Sequence, residues 1–308
     1  MEPVKSYLGW NLDFTEPKGE PALCAPDSIS WTVYKNPISL AIGGVAAVLL
    51  EFADARIRSG VWDHSVYPTD PLGRSRRTGL AAMVGIYGPE SAARRVIKGV
   101  NNMHAGVSGK TPTGEAYTAT DVELLDWVSA TAAYGFLMAY DRYVTPLSYG
   151  EKCQFYEESV PVVTLYGVKS PIRRPEDFEA MCRSRLPRFE PHQINRDFLE
   201  IIKSGKAARG VPKGLYVAVA NAAVDLLPGE VRVRLALGAE FDLTLPQRVW
   251  LRLAAKLANT VPAKNSPAVG AARRLGRSMA LSLASRGHDV AIHYNRSEDE
   301  ARATASRA

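Results

Sequence analysis

Residues 38–53, directly after Asn36-Pro37, are rich in alanine and apolar on almost every side. A helix without a polar face has no side to present to water, so it belongs in the middle of a fold with other elements packed round it. Asn36-Pro37 is start chemistry for such a helix. The uninterrupted apolar run, 38–50, is about 13 residues long, short of the ~20 that cross a bilayer. The first 19 residues are polar, include acids and carry no apolar signal core. A buried core helix is expected here rather than a membrane anchor, and a cytoplasmic chain with no transmembrane segment.

Helical pattern continues along the chain. Pro71 stands where its missing N–H is harmless, at the start of a helix that should run to about 87, where Gly88-Pro89 ends it. A third helix is expected over 91–107. Thr111-Pro112-Thr113-Gly114 is turn chemistry, and Thr120 with Glu123 has capping-box spacing for a helix over 121–143. Within it Leu125, Val128, Ala132, Phe136, Ala139 and Tyr143 recur at three- and four-residue steps. Further helices are predicted over 148–166, 175–185, 192–203, 212–226 and 245–260, separated by glycines and prolines such as Gly167, Pro187, Gly205 and Pro228. No run alternates with period two before residue 263, so residues 1–262 are expected as an all-α domain.

Composition narrows the function. The 46% hydrophobic and 23% charged residues of this 308-residue chain are those of a globular protein with a sizeable core. A net charge of +6 is modest at this length, and no lysine block is interleaved with aromatics, which argues against nucleic acid. Cys24, Cys153 and Cys182 are too few and scattered for a disulfide framework or a thiolate metal site, so free thiols are expected. The first 262 residues hold no GxSxG, HExxH, paired CxxC or P-loop pattern. Hydrolase, zincin and nucleoside-triphosphate chemistry therefore lack support.

The chemistry concentrates between residues 63 and 131, where two of the five histidines and a cluster of arginines stand inside apolar helical pattern. A buried, anionic, metal-containing cofactor would find its ligand and counter-charges there. His104 shares a helix face with Ala93, Ile97, Val100 and Val107, so its imidazole either satisfies a carbonyl in the core or offers a nitrogen to a metal. A haem needs only one protein ligand. Arg74 and Thr78 lie one turn apart, on a face that continues as Ala81, Ala82 and Gly85. That pair either binds propionates or an oxygen species beside a flat group, or forms with Arg76 and Arg77 a solvated basic turn. Asp63-His64 is expected in a loop between helices, serving chemistry or capping. Glu51 and Asp54 either cap the apolar helix or face a pocket, and the aromatic-rich stretch from Trp127 to Tyr143 is either core or a cavity lining.

On these residues the chain resembles the oxygenase family of fungal MpaB and the bacterial rubber oxygenases, or latex-clearing proteins. The similar segments are Phe52-Ala53-Asp54, Arg58 to Ser65, Asp70-Pro71 to Thr78, Met103-His104 with Val107, Trp127 to Thr131 and Tyr140 to Ser148, with Leu165-Tyr166-Gly167-Val168 and Glu190-Pro191-His192 further on. The resemblance spans about residues 36–261. It implies an all-helical domain with b-type haem on one histidine, an arginine and a threonine one turn apart beside it, and a distal acid. By motif His104 is the implied iron ligand, with Arg74 and Thr78 at the cofactor. Arg77 is expected beside them, and Asp63, with His64 next to it, is taken for the distal proton-accepting group, to which no motif of the family corresponds. The implied activity is a haem-dependent oxygenase, or a peroxidase-like relative, that uses O2 on a small hydrophobic, unsaturated or isoprenoid substrate. One departure stands out: relatives commonly carry His where this chain has Ser129. It keeps two alternatives open, a haem carrier or sensor without turnover and a cofactor-free helical relative.

Composition shifts at 262–267, a polar, proline-bracketed linker. The tail, 263–308, resembles the truncated start of a short-chain dehydrogenase: Gly270 to Gly276 is similar to its glycine-rich turn, and Asn295-Arg296-Ser297 to its NADP-phosphate site. With the first strand missing and the chain stopping in the next helix, a short α/β remnant without nucleotide function is expected.

Overall fold

The structure, a computed structural model, describes residues 6–7, 10–67, 69–206, 212–260, 263, 266–287, 290 and 298–306. A short antiparallel ribbon, β1 (Ser6–Tyr7) and β2 (Trp10–Asn11), precedes α1 (Ile29–Val33) and the apolar helix α2 (Pro37–Glu51). The Asn36 side chain caps α2 by accepting from the amides of Ile38 and Ser39, each at 3.1 Å. Then follow α3 (Ala55–His64), α4 (Pro71–Tyr87), α5 (Glu90–His104), the hairpin β3 (Ser108–Lys110) with β4 (Ala116–Thr118), and the long α6 (Val122–Tyr143). The second half is α7 (Tyr149–Leu165), α8 (Pro175–Arg185), α9 (Gln193–Lys203), α10 (Lys213–Leu226), α11 (Gly229–Arg234) and α12 (Leu245–Thr260). Two more helices, α13 (Pro267–Ser285) and α14 (Glu298–Ala305), complete the described chain. No single helix among the described residues is long and apolar enough to cross a membrane.

The all-α expectation holds, and α2 is its centre, with α6, α10 and α12 packed around it. α2 and α6 cross at Gly43 and Gly135, where a Cβ on either glycine would strike the backbone of the other. Missing side chains thus let the two helices touch backbone to backbone. Farther along, Trp127 Nε1 donates to the Leu50 carbonyl at 3.2 Å, which satisfies the last turn of α2 in a fully buried setting.

Several sequence expectations change. Asp63 and His64 are not in a loop but form the end of α3, a helix that the charged Arg56 and Arg58 hide from periodicity. α3 starts three residues after α2 stops, bent 114° from it, because Asp54 caps it by accepting from the Arg56 amide at 3.0 Å. Asp54 is therefore a structural acid: Arg56 binds both its oxygens, at 3.0 and 2.7 Å, and these bonds hold its carboxyl below the usual range against burial. The Thr120–Glu123 capping box does not form. Asp121 takes the cap position, and its carboxylate instead accepts from the Thr118 amide and hydroxyl at 2.9 and 2.8 Å, closing the hairpin exit. A capping box does form at Ser148 and Glu151. α5 ends at His104, three residues short of the expected boundary.

The tail is tied to the body. Ala271 is fully buried with Cys24, Ile86, Tyr87 and Ile97, and Gly270 packs on Phe14. Arg274, wholly buried, donates to the carbonyls of Glu20, Phe14 and Tyr87, each at 2.8 Å. Residues 270–276, expected to resemble a glycine-rich turn, lie inside α13 and have no turn conformation. The strand and phosphate site expected at 289–297, Arg296 included, lie outside the described residues apart from Val290.

Candidate functional site

The site assembles where three helix ends meet. Glu51 closes α2, Arg74 stands in the first turns of α4, and His104 closes α5. Arg74 is placed by local chemistry: the Asp70 side chain accepts from the Gly73 amide at 2.8 Å and Pro71 opens the helix, so the turn that carries Arg74 is rigid. Its guanidinium is half-buried and makes no hydrogen bond or ion pair with any described residue. Its field reaches three groups: Glu51, His104 and Tyr67 all feel it.

Glu51 is the acid of this cluster. Burial pushes its carboxyl from 4.5 up to about 7, and Arg74 and the Thr131 hydroxyl oppose that rise. Thr131, buried one turn beyond Trp127 on α6, places Oγ1 3.4 Å from Glu51 Oε1 and 2.9 Å from the Val128 carbonyl. That hydroxyl donates toward both oxygens, more closely to the carbonyl. Its donation to Glu51 favours the ionised carboxylate and so works against burial, which favours the neutral form.

His104 is half-buried, and neither ring nitrogen hydrogen-bonds to a described residue. Burial first, and the Arg74 charge second, lower its pKa, so the ring is neutral with a lone pair available. Tyr67, 7% exposed and packed against Phe198 at 5.4 Å between ring centres, leaves its hydroxyl without a hydrogen-bond partner. Burial raises that hydroxyl to about 12, with Ser75 and Arg74 pulling the other way. An orphaned buried hydroxyl, an unpaired guanidinium and a free imidazole in one place are donors and acceptors held ready for a missing partner.

The remaining expected residues are placed as follows. Thr78 lies one turn from Arg74 as expected, exposed, with Oγ1 donating to the Arg74 carbonyl at 3.0 Å. Arg77 reaches back toward Asp70, Nη1 to Oδ2 3.7 Å. Gly79 has open space where a Cβ would stand, whereas Gly85, expected to leave room on that helix, is filled by Val162. Asp63 and His64 are exposed and sit by Tyr117, the His64 ring 6.4 Å from the Tyr117 ring and the Asp63 charge raising its pKa after burial. Ser129 is half-buried, about 200° round α6 from Thr131.

Sequence reasoning left Glu51 undecided between cap and pocket, and it overlooked Tyr67. A glutamate ending an otherwise apolar helix was the available signal for the first. Nothing in the sequence marked Tyr67, whose setting depends on α9. Two clefts lie elsewhere: one of about 510 Å³ bordered by Arg196, Arg232 and Glu240, and one of about 350 Å³ between Tyr134, Tyr156 and Phe178. Among the described residues no three His, Cys, Asp or Glu side chains gather as a metal site.

No curated protein and no solved structure matches this chain. The family described as ER-bound oxygenase mpaB/B'/Rubber oxygenase, catalytic domain, matches residues 31–260, which runs from α1 to the last residue of α12 and takes in Glu51, Tyr67, Arg74, His104 and Thr131. That match covers well over half of the chain, and the chain belongs to the MpaB/rubber-oxygenase catalytic-domain family.

Proposed function

We propose that this chain is a haem-dependent oxygenase acting with O2 on a small hydrophobic, unsaturated substrate. The observation that carries the reading is the unpaired guanidinium of Arg74, felt at once by a free imidazole, a poised carboxyl and an orphaned hydroxyl. The residues fit the group that the family uses: a haem asks for one neutral imidazole, which His104 offers, and for cationic counter-charge at its propionates, which Arg74 offers with Thr78 beside it. When bound, haem supplies the activation of O2.

The chain's own residues do the rest. Arg74 favours negative charge in its neighbourhood and donates charge-assisted hydrogen bonds. Glu51, titrating at about 7, is half ionised near neutrality and can accept a proton from a substrate carbon or oxygen and later return it. Thr131 aims that carboxyl, and Tyr67 offers a buried hydroxyl donor. Glu51 takes the proton-accepting role in this reading. The pair Asp63 and His64 stands beside Tyr117 instead, and no interaction joins it to Arg74.

The absorption spectrum of the purified full chain, with oxygen consumption on an unsaturated hydrocarbon, tests the proposal. A Soret band lost in His104→Ala, and turnover lost in Glu51→Gln but kept in Asp63→Asn, is the expected result. A Soret band without turnover would make the protein a haem carrier or sensor. No band in the parent chain would make it a cofactor-free relative.

A further inference from the structure

α12 is joined to the body by one narrow side. Leu251 and Ala255 are its buried residues, and the Asn36 amide donates to the Ala255 carbonyl at 2.7 Å. At 100° per residue its outward side carries Leu245, Val249, Leu253, Leu257 and Trp250 through an arc of about 140°. These side chains are 76, 57, 62, 66 and 42% exposed. Single apolar residues on a surface are ordinary, but a contiguous stripe along four turns marks an interaction surface.

Charge says what covers it. α12 holds Arg248, Arg252 and Lys256 and no acid. Arg248 is neutralised by Asp225 at 3.2 Å, whereas Arg252 and Lys256, exposed along the edge of the stripe, have no ion-pair partner among the described residues. A second copy docked stripe to stripe would bring these cations together. An apolar arc edged by uncompensated cations matches instead a boundary that is apolar beneath and anionic on top.

We propose that α12 seats on an anionic lipid surface, with Trp250, Leu253 and Leu257 entering the acyl boundary and Arg252 and Lys256 on lipid phosphates. The inference stands on α12 alone and is independent of the haem reading.

Flotation of the full chain with vesicles of phosphatidylcholine, with and without phosphatidylglycerol, tests it. The expected result is flotation that requires phosphatidylglycerol, with a blue shift of tryptophan emission that Trp250→Phe abolishes. Leu253→Gln/Leu257→Gln and Arg252→Glu/Lys256→Glu should each lower the bound fraction by about tenfold or more. These side chains face solvent, so circular dichroism and the thermal midpoint should not move. No flotation with the anionic vesicles would overturn the proposal. So would a dimer, seen by light scattering, that Leu253→Gln/Leu257→Gln dissolves, since a second copy would then own the stripe.

Discussion

Arg76 and Arg77 follow Arg74 in sequence, yet of the three only the Arg74 charge acts on Glu51, His104 and Tyr67. Arg77 leans on Asp70, Arg94 on Glu90, and Arg74 on no single partner. Arg74→Ala should therefore reduce haem retention several-fold, as read from the Soret-to-protein absorbance ratio, while Arg76→Ala leaves it unchanged. Equal effects would mean a merely basic surface. Glu51 makes a second prediction. Its folded-state pKa of about 7 lies above the ordinary 4.5, so the folded chain binds this proton more tightly than the unfolded one. The stability it lends is complete below pH 4.5 and is lost as the pH climbs to about 7. His104, with a lowered pKa, works in the opposite sense and rises in contribution as the pH increases. Thermal midpoints of wild type minus Glu51→Gln cancel the histidine, and this difference should fall between pH 4.5 and 7. A flat difference would remove Glu51 from the list of buried acids.

Among the elements, the crossing of α2 and α6 decides where Glu51 and Thr131 meet. Gly43→Ala would push a methyl into the Gly135 backbone, which cannot swing aside as a side chain would. Overpacking of this kind costs about 2 kcal/mol. The expected outcome is a lower denaturation midpoint together with a Glu51 titration shifted back toward 4.5, because the parted helices admit water. The helices themselves were largely legible: α4, α8 and α12 stop and start where their prolines, glycines and periodicity put them. α3 was not, since a helix with two buried arginines is stabilised by partners such as Glu190 and Phe52 that are remote in sequence or off the periodic pattern.

On the scale of the molecule, the tail belongs to the same packed body as the site-bearing helices. Arg274→Ala would strand the carbonyls of Glu20, Phe14 and Tyr87 in a buried setting, a loss of about 3 kcal/mol. Chemical denaturation should show that loss as one cooperative shift of the whole chain. A separate early transition with an unshifted main one would mean that the tail unfolds on its own.

The sequence by itself determined the helical class, most helix bounds, the central place of α2 and the pairing of Arg74 with Thr78, because these follow from periodicity, caps and neighbours within a few residues. Only the tertiary structure decided which acid joins Arg74. Glu51 and Asp54 stand three residues apart and look alike in sequence, but a 114° bend sends one beside Thr131 and the other to Arg56. The ionisation of a carboxyl is set by what surrounds it in space, by burial and by charges from distant segments, and no local pattern records that.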